Sequence, residues 1–380
     1  MSAVRAIRVS VAATVMTAVT MTVTGAVLST GVAVAAAPDG PVQPVDLGAL
    51  PGLTHNSAAS INDRGDVVGS GYSSSFDSHG FRWSRGVLTA LPDTARAPFL
   101  INDGGQIAGS LPGRFSSPGF VIRPDGTVVD PGFTPVDQNE RGQVVGTGPV
   151  AGGTHAMSWN DGRTVDLGAP AGHTSAAVAV SANGWILGEV RSQDHLDDYF
   201  ARWVHGRWVP LPSPNGRAVD INDRGDVVGW ATTPAGTTHA MLWQRDRAVD
   251  LAPADRAPAD RTPGAAAPDR IALSEALAIN DAGQIVGSTF DPVTDAGHVL
   301  LWDQGRRTDL GTFGGSFARP LALNDRGDIV VETSTGSFRW RHGRTVQLGG
   351  SAEPVAINNL GQVVGSVLRP DGTSHAALWN

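Results

Sequence analysis

The phrase Ile61-Asn62-Asp63-Arg64-Gly65-Asp66-Val67-Val68-Gly69 returns along the whole chain, and this periodicity limits the fold more than any other feature. Versions of it begin at Asn102, Asn139, Asn183, Asn222, Asn280, Asn324 and Asn358, so eight asparagines stand 34 to 58 residues apart, most of them close to 40. In the first copy, residues 57–61 alternate small and apolar side chains, Asn62 to Gly65 carry turn chemistry, and residues 66–70 form a second apolar run. That is the pattern of a β-hairpin. Residues 79–83 and 87–91, joined by Ser84-Arg85-Gly86, predict a third and a fourth strand.

Four short antiparallel strands every 40 residues or so fit a propeller blade better than a coil of parallel β-helix, and the period-two patterning with 48 glycines excludes helical repeats. A large ring recurs on the third strand at Trp83, Trp159, Trp203, Trp243, Trp302, Trp340 and Trp379, with Ile122 in its place in the second copy. Rings at equivalent positions would press each blade on its neighbour as core rather than as ligand platforms. Glycine closes the second strand at Gly69, Gly109, Gly146, Gly188, Gly229, Gly287 and Gly365, and is expected to lie beneath that ring. Val331 takes its place in the seventh copy, where different packing is expected.

The ends carry the strongest inference. The last copy stops at Trp379-Asn380 without a fourth strand, and the missing piece, Val45-Asp46-Leu47-Gly48, stands near the start. A ring gains a last blade stitched from both ends, which removes two exposed sheet edges. The expected fold is therefore all-β: an eight-bladed β-propeller of four-stranded antiparallel blades, closed by N- and C-terminal strands sharing one blade. Seven blades is the alternative if one degenerate copy is not a blade.

Residues 1–37 are expected to lie outside this domain. Arg5 and Arg8 precede a long apolar run ending in Ala35-Ala36-Ala37, the pattern of a secretory signal peptide, with an uncleaved anchor as the other reading. Residues 38–380 would then be a single propeller domain, secreted and monomeric, with no membrane segment after cleavage. A Pro/Ala/Asp/Arg-rich insertion at 252–270 is expected to be either a bland low-complexity loop or a lid. The chain has no cysteine, so no disulfide braces it. All 28 basic residues are arginine, which excludes lysine Schiff-base chemistry and a Walker lysine, and a net charge of -8 without a basic stripe argues against nucleic acid.

The repeat resembles the HAF repeat family of extracellular bacterial proteins, named for a His-Ala-Phe tripeptide. That position carries His79-Gly80-Phe81, His155-Ala156-Met157, His239-Ala240-Met241, His298-Val299-Leu300 and His375-Ala376-Ala377, alongside Asp-Leu-Gly and Ile-Asn-Asp-x-Gly-x-Val-Val-Gly elements. The resemblance spans residues 42–380 and implies a secreted repeat protein of unassigned activity, with no catalytic residue to transfer. Pro118, Tyr199 and Gly336 replace the histidine in three copies, which speaks against essential chemistry in each blade.

No cofactor and no metal site are expected, because equivalent histidines on separate blades lie too far apart to meet at one ion, and a structural hydrogen bond to a turn suits them better. Arg64-Gly65-Asp66, Arg224-Gly225-Asp226 and Arg326-Gly327-Asp328 spell an integrin-binding tripeptide, but all lie on the hairpin turn and are read as turn grammar. Glu189 and Glu332, with the segment Asp194-His195-Leu196-Asp197-Asp198, raise the question of a glycosidase carboxylate pair, but they are expected to be solvated loop residues too far apart to act together.

The turns between strands one and two, and three and four, are short and uniform, whereas the other connections vary and should leave on the opposite face. Binding is expected there. Candidate ligand contacts are Tyr72, Phe76, Phe115, His195, Tyr199, Trp230 and Phe290. The expected structural set is Asn62, Asn139, Asn222, Asn280 and Asn358, Gly65 and Gly69, with the repeated histidines and tryptophans. The functional expectation is a binding or scaffold module for an extracellular glycan or protein ligand. A polysaccharide hydrolase or lyase at the mouth of the central channel, or a purely structural surface role, is the alternative.

Overall fold

Asn62 shows why the repeated phrase makes a hairpin. Its Oδ1 accepts the N–H of Arg64 at 3.1 Å and of Asp66 at 2.9 Å, while its own backbone pairs with Asp66 O and Gly65 N. Gly65 sits at φ 77°, a conformation that costs an L side chain but not glycine. In this computed structural model the described residues are 5–6, 40–75, 77–111, 118–212, 216–234, 236–245, 247–252, 273–291, 296–349 and 351–380. The hairpin joins His55–Ile61 to Val67–Tyr72, and Ser78–Ser84 and Val87–Ala90 complete the first unit. Arg85 at φ 50° and Gly86 at φ 85° make the second hairpin a two-residue loop with both centres left-handed, which matches strand twist.

The fold is all-β and built of four-stranded antiparallel sheets. Three sheets stand alone, a fourth carries an added strand at Arg5–Ala6 beside Ala322 and Leu323, and the other four join as two pairs through single parallel contacts, Thr238 to Leu273 and His55 to Ser374. The terminal strand Val45–Asp46 pairs antiparallel with Ser374–Trp379, placing Val45 opposite Leu378 and Asp46 opposite Ala377. Among the described residues no helix is long and apolar enough to cross a membrane.

In each unit the first two strands slip register once, between Ala58 and Ser60 in the first copy and between Pro354 and Ala356 in the last. The second-strand glycine lies against the first strand's backbone beside this β-bulge, not beneath the tryptophan. A Cβ on Gly69 would fall 2.1 Å from Ser57 O, and the nearest ring is Phe81 rather than Trp83. Phe120 and Trp208 stand likewise over Gly109 and Gly188. Val331 keeps the same register, opposite Pro320, and is fully buried.

The core lies between units. Eight apolar clusters are present among the described residues, and seven contain the third-strand tryptophan of one unit together with residues of the unit before it. Trp243 Nε1 donates to Pro212 O at 2.8 Å, Trp302 to Leu251 O at 2.9 Å and Trp203 to Leu167 O at 3.1 Å, each reaching the end of the preceding unit's fourth strand. Trp159, Trp243, Trp302 and Trp379 are buried, while Trp83, Trp203 and Trp340 are half-buried.

A second set of bonds links the hairpin turns. Asn62 Nδ2 donates to Asn102 O at 2.9 Å, Asn102 to Asn139 O, and Asn139 to Ser181 O. Asn222 donates to Asn280 O, Asn280 to Asn324 O and Asn324 to Asn358 O, and Asn358 returns to Asn62 O at 3.0 Å. This corrects the fourth copy of the phrase. Ser181, not Asn183, holds the turn position, with its N–H on Trp185 O and its C=O on Gly184 N; Asn183 is exposed two residues later.

Candidate binding face

The first two strands of each unit end, opposite the hairpin turns, at the variable connections. Alternate residues share a sheet face, so the pair on the far side of the bulge and the pair two residues beyond form two tiers of one surface. In the first strand the nearer tier is the open side: Ser57, Arg217, Arg319 and Glu353 are exposed while Ala58, Ala218, Pro320 and Pro354 next to them are buried.

The inner tier is uneven around the units. It holds Ser57 and Ser70, Ala97 and Ser110, then Thr134 and Thr147 in the first three. In the rest it becomes Ala176 with Glu189, Arg217 with Trp230, Glu275 with Ser288, Arg319 with Glu332 and Glu353 with Ser366. Four of the chain's five glutamates and two arginines thus share one tier, on the first or the second strand of their units. Glu189 accepts from Arg191 at 2.5 Å, Glu332 from Arg319 at 2.5 Å, and Arg217 lies over the Trp230 ring with 5.7 Å to its centroid. Burial pushes the Glu275 carboxyl up, and the Arg217 charge works against that. Both Glu189 and Glu332 are strand residues, not solvated loop residues as the sequence suggested.

The outer tier is polar in the fourth unit, where Thr174 pairs with Arg191, and carries large apolar side chains in the first, sixth and eighth. Tyr72 pairs with His55 and stacks on it, ring centroids 4.8 Å apart and 1° from parallel. At the same register Phe290 pairs with Leu273, and Leu368 with Ser351. All three rim residues Tyr72, Phe290 and Leu368 are exposed, as are Leu273 and Phe317.

Among the residues expected to contact ligand, the structure therefore brings Tyr72 and Phe290 to one tier and Trp230 to the tier below. Tyr199 and His195 lie farther out, on the connection and third strand of the fourth unit. Tyr199 takes the repeated histidine's place, its ring centroid 6.5 Å from that of His173, and burial raises its phenol. His195 Nδ1 stands 2.9 Å from Asp198 Oδ2 in a loop that caps itself. Phe76, Phe115 and the insertion from residue 253 lie outside the described residues. Arg217, Glu275, Arg319 and Glu353 were missed. Each stands five residues before its unit's repeated asparagine, and that spacing was the available signal.

The repeated histidines tie strand to strand, where the sequence suggested strand to turn. Nδ1 of His155, His239 and His298 stands 2.9, 2.7 and 2.8 Å from Asp166, Asp250 and Asp309 on the fourth strand. His375 meets Asp46 in the same way, across the two chain ends, and Arg369 pairs with the same carboxylate. His79 is looser, 3.6 Å from Asp93. The integrin-like tripeptides are closed off, since Asp66, Asp226 and Asp328 are buried and paired with arginines. Among the described residues no group of His, Cys, Asp or Glu could hold a metal ion.

No family model matches the chain, and no curated protein matches it. Solved structures do. The β-propeller domain of the Trilobed protease from Pyrococcus furiosus, described as having an open velcro topology, aligns with 79% of this chain and 100% of its own at 13% identity, with a TM-score of 0.50. A Pyrococcus horikoshii acylaminoacyl peptidase aligns with 84% of this chain at 13% identity and a TM-score of 0.50, and the chain spans only 59% of that peptidase. At such identity the likeness concerns the fold alone, and that fold is β-propeller-like.

Proposed function

We propose that this protein is a secreted, eight-bladed propeller that binds an extracellular polymer, a glycan in preference to a protein, on the variable-connection face. The reading of eight blades is supported by the tryptophan contacts between successive units, the asparagine bonds that return from Asn358 to Asn62, and the pairing of Val45–Asp46 with Ser374–Trp379. Secretion rests on the leader pattern of residues 1–37, and kinship with the HAF repeats rests on the repeated His, Asp-Leu-Gly and Asn-Asp elements alone.

The observation that carries the ligand assignment is the two-tier wall. Carboxylates and guanidinium groups offer directional hydrogen bonds, and Trp230, Tyr72 and Phe290 offer flat apolar faces, the combination that holds a sugar's hydroxyls and its C–H face together.

Glycan and peptide arrays probed with the secreted protein test this. Binding to a glycan class that falls about tenfold or more in Trp230→Ala and Arg217→Ala, with the substrate recovered intact, supports it. Array binding unchanged in both variants, or turnover of a bound polysaccharide, defeats it.

A further inference from the structure

Seven of the eight apolar clusters contain a third-strand tryptophan, and the cluster between units one and two does not. There Ile122 stands at the register position of Trp83, opposite Ile107 as Trp83 is opposite Val67. The shorter side chain leaves space unfilled. A cavity of about 450 Å³ opens beside it, floored by Val87, Leu91, Pro92, Ile107 and Ile122, and it adjoins a second of about 480 Å³ whose walls include Arg64, Arg82 and Arg85. Both volumes lie in the range of small-molecule sites.

We propose that this cleft binds a planar aromatic molecule bearing an anionic group, with the ring where the other units place their own tryptophan. Two features support that ligand class. First, the floor carries the counterpart of a surface that takes an indole elsewhere: Leu91 and Pro92 follow the first unit's fourth strand as Leu211 and Pro212 follow the fourth unit's, and Pro212 O accepts Trp243 Nε1 at 2.8 Å. Second, the mouth is cationic in a chain of net charge -8. Asp66 is its acidic residue, and that carboxylate is buried and already engaged by Arg82, Arg64 and Ser84. Arg123 also lines the cavity, and Arg85 makes no ion pair among those seen in the described residues.

This site lies toward the short-turn face and is independent of the glycan surface above. Isothermal titration with indole-3-acetate, and with neutral indole as a control, tests it. The expected dissociation constant for indole-3-acetate is about 0.1–1 mM, given a ligand of this size. Ile122→Trp should abolish binding of both compounds while the protein melts no lower, because the new ring fills the cleft as its counterparts do. Arg85→Gln should weaken indole-3-acetate about threefold to tenfold and leave indole unchanged. Absence of saturable indole-3-acetate binding by about 10 mM overturns the proposal, as does undiminished binding by folded Ile122→Trp. If that variant fails to fold, equal effects of Arg85→Gln on both ligands overturn it instead.

Discussion

Replacing Asn358 by alanine removes a buried side chain that ties the last hairpin turn to the first, beside the bonds from Asn359 to Asp63. Asn358 is fully buried. Its Oδ1 accepts the N–H groups of Leu360 at 3.1 Å and Gln362 at 2.9 Å, and its Nδ2 donates to Asn62 O at 3.0 Å and Gln362 Oε1 at 2.8 Å. The Asn62 carbonyl keeps a partner after the change, because Gly65 N also bonds to it at 3.0 Å. The two turn N–H groups keep none in the turn. Leaving each unsatisfied costs about 1–3 kcal/mol, so the variant should lose about 2–6 kcal/mol. With a urea slope of about 3 kcal/mol/M for a domain of this size, the unfolding midpoint should fall by about 0.7–2 M. Asn183→Ala is the comparison: the sequence counts it among the repeated asparagines, but it is exposed, accepting from Arg141 at 2.8 Å and donating to the Asp223 carbonyl at 3.1 Å where water can replace it, and its stability should fall by no more than about 1 kcal/mol. Ser181→Asn should gain up to about 1 kcal/mol by supplying a donor toward the Asn222 carbonyl. Equal midpoints for Asn358→Ala and Asn183→Ala would refute the reasoning.

Two further predictions concern pH. Burial, with the Asp103 and Asp63 carboxylates near by, pushes Glu140 up to about 7, while Asp103 N–H donates to it at 2.6 Å. A carboxyl whose folded value lies above its unfolded one stabilises the protein below the unfolded value, and that stability is lost as pH rises through the folded value. Stability should therefore decline between about pH 4.5 and 7 by about 1–3 kcal/mol, and thermal melts of Glu140→Gln should lack that decline. At the joined ends the sign reverses. Burial works to raise the Asp46 carboxyl, but the Gly48 N–H, His375 and Arg369 together hold it below its ordinary value. Its contribution is present above the unfolded value of about 3.9 and lost as pH falls through the folded one. Hydrogen exchange on Ser374–Trp379 should accelerate below about pH 4 in the native protein, and Asp46→Asn should show fast exchange there already at neutral pH.

The repeat's turn chemistry was legible because Asn and Gly are required by local geometry: Asn62 caps its own turn and Gly65 takes a positive φ, so both the hairpins and their spacing could be read directly. Strand bounds followed, the first unit's elements falling within about two residues of the pattern. Ser181 was overlooked for the converse reason, since a serine supplies the turn acceptor less conspicuously and Asn183 stands close enough to imitate the phrase. The second-strand glycine was attributed to the wrong neighbour because a bulge in short strands leaves no mark of its own in the sequence. At the binding face, the aromatic residues were visible one by one. The tier of Glu189, Arg217, Glu275, Arg319, Glu332 and Glu353 was not, because its members come from different units and from either of two strands. The cleft beside Ile122 shows the same limit: the missing tryptophan could be read, but the space it leaves depends on how Leu91 and Pro92 pack against the next sheet.

The most direct test of the architecture is a distance between the chain ends. The protein has no cysteine, so Gln43→Cys and Asn380→Cys can be spin-labelled cleanly, and the exposed positions should accept labels without disturbing the pairing of Val45 with Leu378. Neighbouring strands lie about 5 Å apart, so pulsed electron resonance should report a single narrow distance of about 20 Å or less once the label arms are included. Eight sheets stacked about 10 Å apart in an open array would put the labels about 70 Å apart, and a distance of that order would contradict the account.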